Sequence, residues 1–112
     1  MEDIFLYMII QIYNHKERYV KIGVSSHLDA RLVSLQAGNA NTLTLLRAYK
    51  FRSKTGAFRV EKIVHGLLFS RRMNGEWFDV PWKTAELAFM VAVKEKPLQE
   101  LADALSLLED IN

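Results

Sequence analysis

The sequence predicts an α+β fold: a small three-stranded sheet, antiparallel or mixed, flanked by helices in the order β-β-α-β-α, with two more helices at the C-terminal end. Three observations carry this. Two apolar runs near the N-terminus are separated by one polar stretch, Asn14 to Arg18, as in a hairpin. Leu28, Leu32 and Leu35 then recur at helical spacing. From Thr84 onward the pattern is helical, interrupted at Pro97.

Each element has its own signal. Ile4 to Tyr13 is a dense run of β-branched and aromatic residues, which favours a strand buried on both faces. Tyr19 to Val24 alternates, with Val20, Ile22 and Val24 on one face and Tyr19, Lys21 and Gly23 on the other. The polar connection between these strands is longer than a tight turn and leaves their register open. Ser26 to Gly38 reads as a helix, with Ser26 and Asp29 as a capping-box-like start and Gly38-Asn39 as its stop. Thr42 to Phe51 is a third strand and Arg52 to Gly56 a basic loop. Ala57 to Met73 is a second helix with Val60, Val64, Leu67 and Leu68 on its core face. Asn74-Gly75 is a turn, and Glu76 to Val80 a short extended piece that should cover the sheet. Thr84 to Lys96 and Leu98 to Ile111 complete the chain as helices, the last with a stripe of Leu98, Leu101, Leu105 and Leu108. The expected organisation is a domain over 1–82 and a helical extension over 83–112 packed on it.

Composition narrows the function. Of 112 residues, 50% are hydrophobic and 25% charged, too apolar for a disordered chain. The absence of cysteine excludes disulfide scaffolds, cysteine zinc sites, iron–sulfur clusters and thiol nucleophiles. No run reaches the ~18 apolar residues of a membrane span, and Glu2 and Asp3 replace the basic start of a signal peptide. The expectation is a soluble cytoplasmic protein with no membrane partner. His15, His27 and His65 stand apart, without metal-ligand spacing. There is neither a nucleophile elbow nor a phosphate-binding Gly-Lys loop.

Charge is segregated. Residues 1–83 hold 13 Lys and Arg against 7 Asp and Glu, whereas residues 84–112 hold 2 against 6. Within 47–72 stand eight basic residues and one acid, Glu61. An anionic partner for the body follows, and a different role for the tail.

One constellation carries chemistry: Phe5-Leu6-Tyr7 in the first strand, Lys21-Ile22-Gly23 in the second, Arg31 in the first helix, Glu61 in the second, then Gly75-Glu76-Trp77-Phe78. About 60° of helical rotation separates Arg31 from the centre of the leucine stripe, so it can lie at the seam between helix and sheet. Glu61 and His65 share one helix face. This ordered set over roughly residues 4–80, with Arg31-Leu32, Leu35-Gln36, Gly38-Asn39 and His65 in sequence, resembles the GIY-YIG nuclease superfamily, in particular its compact phage and bacterial branch. Two positions depart from the motifs: Phe5 stands where the first has glycine, and Lys21 where the second has tyrosine.

The resemblance implies a metal-dependent endonuclease hydrolysing DNA phosphodiester bonds, with Tyr7, Lys21, Arg31 and Glu61 as catalytic residues. Glu61 would hold one Mg²⁺ or Mn²⁺ ion per site. Tyr7 would take a proton from the attacking water, its pKa lowered by Lys21, Arg31 and the ion. Lys21 would orient the water or Tyr7, and Arg31 would hold the scissile phosphate. His27, Arg47, Arg52, Lys54, Arg59, Lys62, His65, Arg71 and Arg72 are the expected nucleic-acid contacts. Such a site cuts one strand at a time, so double-strand cleavage needs a homodimer or two binding events. The competing readings are a nuclease-fold DNA-binding module with little or no cleavage, and a phage counter-defence protein whose acidic C-terminal helices meet a protein partner.

Overall fold

The N-terminal hairpin organises the molecule. In the computed structural model, which describes residues 3–110, β1 (Ile4–Tyr13) and β2 (Lys16–Ser25) pair antiparallel along their length. The polar connection is shorter than expected. Asn14 and His15 alone make the turn, both with positive φ (50° and 62°), the backbone of a type I′ turn whose twist matches the strands. The remaining polar residues, Lys16, Glu17 and Arg18, already belong to the ladder. The extra length is absorbed at a β-bulge: Ile10 pairs with Val20 and Gln11 with Arg18, so Tyr19 is the inserted residue, with φ of 69°.

β3 (Thr42–Phe51) pairs antiparallel with the other side of β1, over the residues the sequence predicts. The sheet gains a fourth strand. The extended piece after the Asn74-Gly75 turn contributes β4 (Trp77–Phe78), which pairs with β2 and gives the order β3-β1-β2-β4. All pairings are antiparallel. Gly75, at φ +57°, makes the turn possible.

α1 (Leu28–Ala37) starts two residues later than its expected cap. Pairing of Ser25 with Phe5 extends the strand to the last residue before Ser26, so His27 becomes the N-cap and the capping box does not form. Ser25 Oγ instead accepts from the His27 N–H at 3.0 Å. α2 (Lys54–Leu67) starts earlier than expected because Ser53 caps it, accepting from the Gly56 N–H at 3.1 Å. It ends earlier too, tightening into a 3₁₀ turn at Phe69–Arg71. α3 (Trp82–Ala92) begins directly after Pro81. It stops short of Lys96 because Lys94 takes a left-handed conformation (φ 65°), and the Lys94 and Glu95 N–H groups close back onto Val91 and Met90. α4 (Leu98–Asp110) follows; the expected end at Ile111 lies outside the described residues.

The alternation of β1 splits the apolar interior in two. Leu6, Met8 and Ile10 join Val20, Ile22, Phe78 and the apolar faces of α2, α3 and α4 in the larger core. Leu101, Leu105 and Leu108 pack there, whereas Leu98 is 58% exposed and leaves the stripe. Tyr7, Ile9 and Leu43 point the other way, under Leu28, Leu32 and Leu35 of α1. α3 is pinned to β3 by an Arg47–Glu86 ion pair at 2.7 Å and by Tyr49 stacked on Phe89 at 3.7 Å. Among the described residues no helix is long and apolar enough to cross a membrane.

Candidate active site

The smaller core ends in a polar cluster. Tyr7 and Gly23 are register partners, and the tyrosine ring lies across the glycine. A Cβ at position 23 would fall 2.5 Å from Tyr7 Cζ, nearer still to its hydroxyl, and 3.0 Å from Glu76 Oε2. Glycine is therefore required by the close approach, not by backbone angle. Tyr7 is 1% exposed, and Arg31, reaching in from α1, donates its Nε–H to the hydroxyl at 3.3 Å.

Lys21 stands one pleat along β2 from Gly23. Its side chain is buried, and its ammonium meets Glu76 Oε2 at 3.3 Å and the Trp77 ring at 5.4 Å from the centroid. Both contacts offset the cost of burying the charge. Glu76 is held by its backbone, whose carbonyl accepts from the Ile22 N–H at 3.0 Å.

Glu61 arrives from α2 by way of His65. β4 is too short to pair the whole edge of β2, and the Ile22 carbonyl is taken instead by His65 Nε2 at 2.8 Å. A carbonyl can only accept, so Nε2 carries the proton. That bond ties α2 to the sheet edge and brings Glu61, one turn earlier on the same face, up to Glu76 and Lys21. Glu61 Oε2 is buried and has no hydrogen-bond partner among the described residues. Burial and the facing Glu76 carboxylate push the Glu61 pKa up to about 7, against the pull of Lys21.

In the ion-free protein the Tyr7 pKa is raised: burial dominates, and Glu76 and Glu61 add to it, outweighing the hydrogen bond and charge of Arg31; the expected lowering also counted the field of a bound ion. Sequence reasoning counted the cations around the phenol and not the burial or the second carboxylate.

A model of the T5orf172 domain matches residues 4–92, most of the chain. The chain belongs to the T5orf172 domain family. That makes it a phage-associated, nuclease-like or DNA-binding domain. No curated protein and no solved structure matches it.

Within this T5orf172 domain the structure gathers Tyr7, Lys21, Arg31 and Glu61 into one cluster and adds Glu76, to which the sequence reading assigned no role. Its signal was an acid immediately after a strong turn. The basic residues divide. Arg47 is engaged with Glu86. Arg71 donates to the Asp79 carbonyl and faces its carboxylate, and Arg72 donates to the Gly75 carbonyl. His65 is committed to Ile22. Arg52, Lys54, Arg59 and Lys62 are exposed and have no ion-pair partner among the described residues. Lys54 shares a shallow cavity with Ser25 and Ser26, beside exposed His27 at the start of α1.

No group of three or more His, Asp or Glu gathers among the described residues. The donor set nevertheless fits a hard divalent cation. Mg²⁺ takes one or two carboxylates and keeps its waters, and here one buried carboxylate oxygen is unsatisfied with a second carboxylate facing it.

Proposed function

We propose that the protein is a metal-dependent endonuclease of GIY-YIG type that hydrolyses DNA phosphodiester bonds. The observation carrying this reading is the convergence of Tyr7, Arg31, Lys21 and Glu61 beside a glycine that admits no side chain.

Glu61, with Glu76 beside it, would hold Mg²⁺ or Mn²⁺, which when bound polarises the phosphoryl oxygen and stabilises the leaving oxygen. Arg31 is half-exposed and can offer its remaining N–H donors to the scissile phosphate while its Nε–H stays on Tyr7. Because Tyr7 oxygen accepts from Arg31, its own O–H is directed elsewhere and can orient the attacking water. At neutral pH the phenol is protonated, held so chiefly by burial and further by Glu76 and Glu61, so it would take a proton from the water only as it passes its own on. Lys21, fixed between Glu76 and Trp77, supplies fixed positive charge at the floor of the site.

The test is nicking of supercoiled plasmid in Mg²⁺ or Mn²⁺ by wild type and Glu61→Gln. The variant keeps the shape of the side chain and loses its charge. The expected loss is at least ~10²–10³ in rate, with DNA affinity unchanged or slightly higher. Equal cleavage by both proteins rules out Glu61 as the metal ligand. No cleavage of any DNA form by wild type leaves a nuclease-fold binding module.

A further inference from the structure

We propose that the cavity between the Tyr19 bulge and the Trp77 turn receives one unpaired nucleobase, so that the adjoining site acts on DNA presenting an unstacked nucleotide. This rests on the nucleic-acid reading above and deepens it to a substrate class. The cavity measures about 190 Å³ and is lined by Gln11, Tyr19, Asn39, Met73, Asn74 and Trp77. Two aromatic rings, three amides and a thioether suit a neutral heteroaromatic ring. Aromatic faces stack a base and amides read its edge. Among the described residues no charged side chain lines the cavity, and those that do line it suit a base better than a phosphate.

The conformation of Tyr19 is the strongest observation. It sits in the left-handed region, where a bulky side chain is an outlier and glycine would be at ease. Bulges of this kind re-aim a side chain, and here the ring becomes part of the cavity wall. The other walls are held by hydrogen bonds. Asn39 Nδ2 donates to Gln11 Oε1 at 2.9 Å, and Asn39 Oδ1 accepts from the Asn41 N–H at 2.9 Å. Gln11 lines the cavity, and among the described residues its Nε2 donors have no partner. The Met73 N–H donates to the Trp77 carbonyl and the Trp77 N–H to the Asn74 carbonyl, so the turn around Gly75 presents Met73, Asn74 and Trp77 together. Trp77 also connects the cavity to the polar cluster, since the Lys21 ammonium lies over its ring. A base in the cavity would therefore bring its phosphates to the Trp77 side, where Lys21 and Glu76 begin the polar cluster.

The experiment is a fluorescence titration without metal. The probes are a duplex with 2-aminopurine in a single-base bulge and the fully paired duplex of the same sequence. The proteins are wild type, Tyr19→Gly and Tyr19→Phe, with thermal melts alongside. Wild type should favour the bulged probe and quench its fluorescence by stacking. Tyr19→Gly should stay folded, with one cooperative melt, because glycine is at ease in that backbone, yet lose roughly 5- to 100-fold in affinity for the bulged probe alone. Tyr19→Phe should retain the affinity and the quench. Equal binding of bulged and paired probes by wild type overturns the base pocket and leaves the DNA reading intact. Full binding of the bulged probe by Tyr19→Gly does the same. Absence of binding to either probe overturns both.

Discussion

Gly23 shows most directly how one residue shapes the site. Its missing side chain is the space in which the Tyr7 hydroxyl and the Glu76 carboxylate meet. Gly23→Ala must move Tyr7, and Tyr7 is enclosed by the smaller core and has nowhere to go without breaking its bond to Arg31. Overpacking of this kind costs about 1–3 kcal/mol, readable by chemical denaturation. Activity should fall further than stability, because Tyr7 and Glu76 are displaced together. An alanine variant with wild-type stability and activity would show that the ring has an alternative seat. Glu61 offers a second test at this scale. With its folded pKa near 7 against an ordinary 4.5, the folded chain holds a proton that the unfolded chain has released between those values. Stability of the ion-free protein should therefore fall as pH rises from about 4.5 through 7, and Glu61→Gln should flatten that part of the profile. On the proposed reading metal and proton compete for the same carboxylate, so added Mg²⁺ should raise the wild-type melting temperature at about pH 8 more than at about pH 5.5, and the variant's at neither. A wild-type profile that matches the glutamine variant at every pH would mean that Glu61 ionises as freely as an exposed carboxylate.

Among the elements, the β1–β2 hairpin departs most from a regular pattern, with three non-glycine residues in left-handed backbone: Asn14, His15 and Tyr19. Asn14 is suited to its place, whereas His15 stands where type I′ turns favour glycine. His15→Gly should stabilise the protein by about 1 kcal/mol, measured as a shift in denaturation midpoint. A destabilised variant would mean that the imidazole makes a contact worth more than the strain. The order of elements was legible in the sequence because strand alternation, leucine spacing and turn residues all agree with the fold. The bulge was not legible, because Tyr19 looks like an ordinary strand residue and only the counted register exposes it as the extra one. The placement of α2 was misread for a related reason. Gly56 resembles a loop residue, yet its N–H is the donor that Ser53 caps. Tyr7, Lys21, Arg31 and Glu61 were legible as an ordered set. Glu76 was not singled out, since its importance comes from the edge pairing that places it opposite Glu61.

At the scale of the whole molecule, charge segregation is partly consumed internally. The acidic C-terminal segment is not simply a repellent tail, because Glu86 of α3 neutralises Arg47 of β3. Lys50 faces Asp3 at 3.3 Å, and Arg71 faces Asp79. Of the basic residues between 47 and 72, Arg52, Lys54, Arg59 and Lys62 are exposed with neither an ion pair nor a side-chain hydrogen bond among the described residues, at the end of β3 and along α2. Two of the four bracket Glu61, and Lys54 borders the strand end that leads to His27. On the proposed reading they would line the path of a phosphate backbone past the candidate site. Neutralising ~4 phosphates predicts a slope of about −3.6 for log affinity against log salt on duplex DNA. Replacing Arg59 and Lys62 together with alanine should reduce the magnitude of that slope by nearly two, whereas Arg47→Ala should leave it almost unchanged, because that guanidinium is already spent on Glu86. Arg47→Ala should instead loosen the contact between β3 and α3 and lower the melting temperature. The contrast between these variants separates charge that is available to a partner from charge that is holding the fold together. A slope near zero in the wild type would remove duplex DNA as the ligand of this surface, and an equal loss of slope in Arg47→Ala would mean that the Glu86 pair opens when DNA binds.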